Sequence, residues 1–138
     1  MTFADPRVQR YLATKDVVVL GTINPDGSPL LTAMWFLHDP SALTFISEDG
    51  LQKVHNLRRD PRLHVLAESG ARGADIKGIA IRGRAEFLVD TPERRALATR
   101  LLDKYHPHLE RYWGGRAMPA NRVMFRVVPR QIHPWGLE

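Results

Sequence analysis

The densest run of residues able to do chemistry lies between Ser47 and Arg62, where the chain reads Ser-Glu-Asp-Gly-Leu-Gln-Lys-Val-His-Asn-Leu-Arg-Arg-Asp-Pro-Arg. A strand ending in the Ser47 hydroxyl feeds a helix on which Lys53 and Asn56, three apart, share a face. Hydroxyl, helix-start amides and ammonium then converge on one volume, which is what a phosphate oxyanion needs. The same residues equally describe a solvated amphipathic helix with ordinary surface lysine and arginine. Elsewhere the signals are thinner. His106 and His108 lie two apart without a third ligand nearby, and His55 and His64, on either side of Pro61, read as a helix-face and a strand histidine. The zinc-hydrolase, P-loop, nucleophile-elbow and calcium-loop patterns are all missing. Trp35 and Trp113 are bulky enough to wall a substrate pocket and equally suited to core or dimer packing. His38, Tyr112 and His133 are candidate proton donors, and none is assigned a catalytic role.

The elements that position these residues follow from periodicity. Asp5-Pro6 ahead of Val8, Tyr11 and Leu12 predicts a short capped helix lying as a lid across a sheet. Residues 17–23 are rich in β-branched side chains and stop at Asn24-Pro25-Asp26-Gly27-Ser28, a hairpin loop by composition. The return strand spans residues 29–37, and residues 43–47 read as a third strand of the same antiparallel meander. Leu51, Val54 and Leu57 recur at helical spacing until Asp60-Pro61 ends the run. Residues 63–67 resume a strand, 69–75 form a glycine-containing loop, and 79–89 alternate apolar and charged positions as a long strand with one buried face. Thr91-Pro92 opens a longer helix with Leu97, Leu101, Leu102 and Tyr105 as its apolar stripe, ended by Pro107. Residues 106–120 are a brief helical turn and a loop, residues 122–128 a last strand, and the tail from Ile132 to Gly136 is extended. Six or so mostly antiparallel strands with helical insertions favour a β-barrel over a doubly wound parallel sheet.

The whole has room for one domain: 138 residues and 15.7 kDa. With 43% hydrophobic and 25% charged residues it is too apolar for a disordered chain, and no window approaches the roughly 18 consecutive apolar residues of a membrane span. Zero cysteines exclude disulfides, thiolate metal sites and cysteine nucleophiles, and the opening residues lack a signal-peptide pattern, so a cytoplasmic location is expected. Sixteen of the 20 basic residues are arginine and the net charge is +5, which suits either an anionic partner or a solvated basic surface.

Three segments together resemble a known family. They are Lys53 with Asn56-Leu57-Arg58-Arg59-Asp60-Pro61-Arg62, the opening Val19-Leu20-Gly21-Thr22-Ile23 with Asp26-Gly27 and Pro29, and the closing Pro129, Ile132 and Trp135-Gly136. They resemble, in the correct order over nearly the whole chain, the pyridoxamine-phosphate-oxidase-like split β-barrels, in particular the flavin and deazaflavin (coenzyme F420) dependent oxidoreductase branch. The resemblance implies a mainly β, antiparallel six-stranded split barrel of FMN-binding type, and a homodimer with two cofactors in clefts between subunits. Carried over residue by residue, it implies that Lys53 and Asn56 hold the cofactor phosphate, with Ser47 at the strand end beside it. Thr32, Ala33 and Met34 match the strand whose backbone lines the tricyclic ring, and Trp135 matches an aromatic position near the ring contributed by the partner subunit. Leu51 stands where many deazaflavin-binding members place a basic residue.

The function implied is hydride transfer between coenzyme F420 or FMN and a small organic substrate. A non-catalytic protein of the same fold that sequesters a flavin, haem or tetrapyrrole is the alternative. No clustered aromatic motif supports nucleic-acid binding, and no membrane or metal partner is expected.

Overall fold

The computed structural model describes residues 1–137. Helix α1 (Pro6–Ala13) starts where the Asp5 carboxylate accepts the Arg7 amide, and it buries Val8, Tyr11 and Leu12. Its Tyr11 hydroxyl lies 2.9 Å from Ser69 Oγ, so the helix is fastened across the sheet. Strands β1 (Val18–Ile23) and β2 (Pro29–Met34) form the expected hairpin, in register from Val18 opposite Met34 to Ile23 opposite Pro29. The loop between them closes through Asp26, whose carboxylate accepts the Ser28 amide.

Beyond β2 the chain departs from the meander that its spacing predicts. The remaining strands are β3 (Leu37–His38), β4 (Leu43–Glu48), β5 (Arg62–Ser69), β6 (Lys77–Phe87) and β7 (Arg122–Trp135), and the sheet order is β2-β1-β5-β6-β7-β4-β3. Strand β4 pairs with β7 and β3, not with β2. The reason sits at Phe36, which is buried and whose peptide groups are taken by side chains. Its N–H donates to Tyr105 Oη (2.9 Å) and its carbonyl accepts from Lys104 Nζ (2.7 Å). Burial holds the Tyr105 phenol up at about 12, so it keeps its proton and donates a hydrogen bond to the Asp16 carbonyl (2.8 Å). A backbone so engaged cannot continue a ladder. Trp35 and Phe36 thus form a corner between the sheet's two edge strands. Since only three Cα steps, at most about 11 Å, join Met34 to Leu37, the edges must approach and the sheet must curl. The result is a mainly antiparallel, seven-stranded curled sheet where six strands are expected from sequence; the extra one is the two-residue β3.

The C-terminal tail is part of the sheet. β7 runs for 14 residues, pairing with β4 over its first half and with β6 almost throughout. A bulge between Arg82 and Gly83 lets β7 keep its hydrogen bonds past Pro129. Gly83 is required there, because a Cβ would stand 2.6 Å from the Val128 carbonyl oxygen.

Inside the curl, Leu20, Phe36, Phe45, Val65, Ile79, Ile81 and Phe125 pack with Val8 and Leu12 of the lid helix. Each such side chain contributes roughly 1.5–3 kcal/mol by leaving water. Helix α2 (Gln52–Arg59) plugs one end through Val54 and Leu57. Helices α3 (Pro92–Lys104) and α4 (His108–Trp113) build a second apolar cluster outside the curl, from Leu97, Leu101, Leu102, Tyr105 and Leu109 against Leu37 and Met124. Among the described residues no helix is long and apolar enough to cross a membrane.

Candidate functional site

Where β2, β4, α2 and the α3–α4 pair meet, they enclose a cavity of about 300 Å³. Its polar end is built by strand register. Ser47 and Glu48 end β4, and Arg122 opens β7 directly opposite Glu48. Lys53 enters from the first turn of α2. Its other end is apolar, walled by Met34, Trp35, Leu101, Leu109, Tyr112 and Trp113.

The electrostatics of the polar end are unusual for a surface. Lys53 Nζ lies 3.0 Å from the Met34 thioether and forms no ion pair among the described residues. Burial pushes its pKa below the usual lysine range, opposed in part by the Glu48 carboxylate. A thioether is a poor acceptor for an ammonium, so the charge is left short of a partner. Arg122 is 9% exposed, with its guanidinium 3.6 Å from Glu48, donating to Asn121 Oδ1 (2.7 Å) and lying 5.4 Å from the Tyr112 ring. The Ser47 hydroxyl, 6% exposed, donates to the Glu48 carbonyl (3.1 Å). Two cations, one carboxylate and a hydroxyl thus face one small volume, which leaves a net positive charge suited to an anion.

Of the residues singled out from sequence, the fold brings Ala33, Met34, Ser47 and Lys53 to this cavity. Thr32 shares the inward face of β2 with Met34, opposite Ala33, but does not line the cavity; its hydroxyl oxygen is buried without a partner among the described residues. Asn56 does not line this cavity. It is fully buried and turned into the sheet, its Nδ2 donating to Thr22 Oγ1 (3.1 Å) and Asn24 Oδ1 (2.9 Å) and its Oδ1 accepting from Gln52 (2.9 Å) and Arg59 (3.2 Å). Its donors and acceptor are consumed, so it fastens α2 to the β1–β2 hairpin and has none left for a ligand. Three residues along a helix differ by about 60° in direction, enough to place Lys53 at the cavity and Asn56 in the core. Trp135 lies at the far end of β7 beside Gly78, whose added Cβ would stand 3.0 Å from the indole; the cavity of its own chain does not include it.

Trp35, Tyr112 and Trp113 all wall the cavity, and Trp35 stacks on Tyr105 with ring centroids 4.5 Å apart. His38 is elsewhere, paired through Nδ1 with Gln9 Oε1 (2.8 Å), its pKa lowered by burial and by Lys104. His133 lies on the outer sheet face. Arg122 escaped sequence reasoning, since only its pairing across from Glu48 reveals where it goes. Among the described residues, no three histidine or carboxylate groups converge as a metal site.

A family model described as pyridoxamine 5'-phosphate oxidase matches residues 4–136. No curated protein matches the chain. Among solved structures, a conserved hypothetical protein of Mycobacterium tuberculosis is 29% identical with a TM-score of 0.79, covering 95% of this chain and 83% of that one. A protein described as an F420 reductase is 27% identical with a TM-score of 0.62, covering 85% and 88%. The haem storage protein of Vibrio cholerae, 15% identical, shares the fold with a TM-score of 0.80 over 99% of this chain and 97% of its own. With the family model spanning all but the first three and last two residues, the chain belongs to the pyridoxamine 5'-phosphate oxidase family.

Proposed function

We propose that the chain is an oxidoreductase that holds a phosphate-bearing flavin-type cofactor, coenzyme F420 ahead of FMN, and serves hydride transfer to or from a small organic substrate. The observation that carries this reading is Lys53, an ammonium turned into a cavity where its hydrogen-bond partner among the described residues is a thioether. Arg122 supports it by supplying, from another strand, the second cation that Leu51 fails to provide. The residues present fit the group. Lys53 and Arg122 would neutralise its phosphate and Ser47 would donate to a phosphate oxygen. β2 is an edge strand paired only with β1, so the outward backbone groups around Ala33 and Met34 are free to meet the polar rim of a ring. When bound, the cofactor supplies or accepts the hydride; the protein contributes orientation, a dry pocket and charge. Trp35 and Trp113, with the exposed Tyr112 at the rim, make the apolar end suited to a flat, apolar substrate. The 27% identity to a protein described as an F420 reductase lies on the same side.

A homodimer belongs to this reading. On the outer face of the sheet, Ala33, Val19, Leu66 and Ala80 lie side by side across β2, β1, β5 and β6, an uncharged row suited to a second copy. Such a partner would bring its own Trp135 toward the ring. Spectroscopic titration of the purified protein with F420 and with FMN, followed by reduction of the complex, tests the proposal. Saturable binding of either, and turnover with a reductant, is expected. Binding of neither would overturn it, and a bound cofactor inert to reductants would leave sequestration in its place.

A further inference from the structure

A larger cavity, about 650 Å³, lies elsewhere. It opens on the outer face of the sheet, and its composition divides in two. One half is apolar, from Leu31, Ile23 and Pro29 of the β1–β2 hairpin; the other is formed by Arg62, Arg82, Arg84 and Arg130. The strand register explains the grouping. Leu31, Gly21, His64 and Arg82 are successive partners across β2, β1, β5 and β6, and Arg62 faces Arg84 one row along. Arg130 is the residue that the β7 bulge leaves unpaired, swung out between Pro129 and Gln131. Gly21 and Gly83 have no side chains to fill the floor.

The charges here are unbalanced. Arg62 is held by Asp60 through a 2.7 Å ion pair. Arg82, Arg84 and Arg130 have no carboxylate or hydrogen-bond partner among the described residues, and no acidic side chain lines the cavity. Like charges directly across a strand pair disfavour the sheet, so the Arg62–Arg84 pairing costs stability that a bound anion would restore. Guanidinium groups on rigid strands are preorganised for forked recognition of phosphate or carboxylate. A cavity of this size admits a molecule of nucleotide dimensions.

We infer that this concavity is a second ligand site, taking a small organic polyanion: an apolar or aromatic body bearing several phosphate or carboxylate charges. The body lies against Leu31, Ile23 and Pro29, and the charged groups meet Arg82, Arg84 and Arg130. The site is separate from the Lys53 cavity, and it stands whether or not the cofactor reading holds. It borders the uncharged row proposed for the dimer contact, so each chain of a dimer would carry one.

Calorimetric titration of the full chain at about 50 mM salt, where screening is modest, tests this with ATP, inorganic tripolyphosphate, citrate and acetate. ATP is expected to bind once per chain, tripolyphosphate and citrate more weakly, and acetate not measurably. Arg82→Gln and Arg84→Gln, each on the solvent face of β6, should each weaken ATP binding about ten-fold or more. Arg95→Gln on α3, outside the cavity, should leave it unchanged. Equal losses in Arg95→Gln and Arg82→Gln would overturn the site in favour of diffuse surface charge. Loss of ATP binding in Lys53→Ala alone would place the anion in the other cavity. An oligothymidylate that outcompetes ATP and takes up several chains per strand would make the surface a nucleic-acid groove instead.

Discussion

Two cavities of this chain, the one at Lys53 and the arginine concavity, hold cations by opposite means. Around Lys53 the charges sit at element ends, half-buried, with Glu48 offsetting Arg122 and a thioether beside the ammonium. In the arginine concavity they stand on the open faces of strands and at a bulge, with no acidic residue among the described residues lining the space. Burial therefore governs the first: it depresses the lysine and makes its charge conditional on pH and on a bound anion. Geometry governs the second, because arginine stays protonated at any working pH and needs only a rigid platform. A half-buried lysine marks a site tuned for one phosphate, whereas a tier of strand arginines marks a site that counts charges.

Asn56 is where the comparison can be broken most forcefully, since it borders both regions. It ties α2, which carries Lys53, to Thr22 and Asn24 of the hairpin that walls the arginine concavity, and its neighbour Arg59 donates to the Ile23 carbonyl. Asn56→Ala removes four hydrogen bonds at a fully buried position. A loss of about 3 kcal/mol in unfolding free energy is expected, read by urea denaturation, with both ligand sites weakened together. An unchanged midpoint would mean that the network adds nothing to the fold.

Lys53→Ala separates the two regions. It should leave thermal stability nearly unchanged while weakening a phosphate-bearing cofactor about ten- to a hundred-fold, measured by fluorescence titration. Arg122→Gln should act in the same direction, and if it does not, the second cation plays no part in holding phosphate.

A pH series sharpens the difference further. The lysine pKa is pushed down, so its charge is lost as pH rises through a value below the ordinary lysine range. Cofactor affinity should therefore fall by several-fold on the alkaline side, at a pH below that at which an ordinary lysine loses its charge, and be flat toward neutrality. Anion binding in the arginine concavity should stay level across the same range. The smallest effect expected is the cross-term: Arg82→Gln should change cofactor affinity by less than about two-fold, as distant sites add independently. A larger change would show that the two cavities are coupled through β2, where Leu31 and Ala33 are adjacent outward positions.

Local chemistry was readable from sequence wherever one segment contained the whole cause. Asp5-Pro6 and Thr91-Pro92 cap α1 and α3 as their composition predicts, with Asp5 and Thr91 accepting the amides of Arg7 and Arg94. Residues 24–28 close the hairpin, and alternation along 79–89 finds β6. Long-range pairing was not readable. Nothing in residues 43–47 says that β4 abandons β2 for β7, because the cause is a tyrosine and a lysine some seventy residues away that engage the Phe36 backbone.

The same division separates the sites. The run from Ser47 to Asn56 displays its phosphate chemistry in the sequence itself, since a strand end and a helix start are neighbours along the chain. Which of its side chains face the cavity was decided only by packing: Val54 and Leu57 seek the core, and Asn56 follows them while Lys53 does not. Arg122 reaches that cavity only through strand register. The four arginines of the outer face come from two strands and the bulge of a third, spread from Arg62 to Arg130, and no sequence window contains them together. Composition determined that this chain carries an excess of guanidinium; the curl of the sheet and its register decided that the excess is concentrated in one place, because side chains on paired strands become neighbours whatever their separation along the chain.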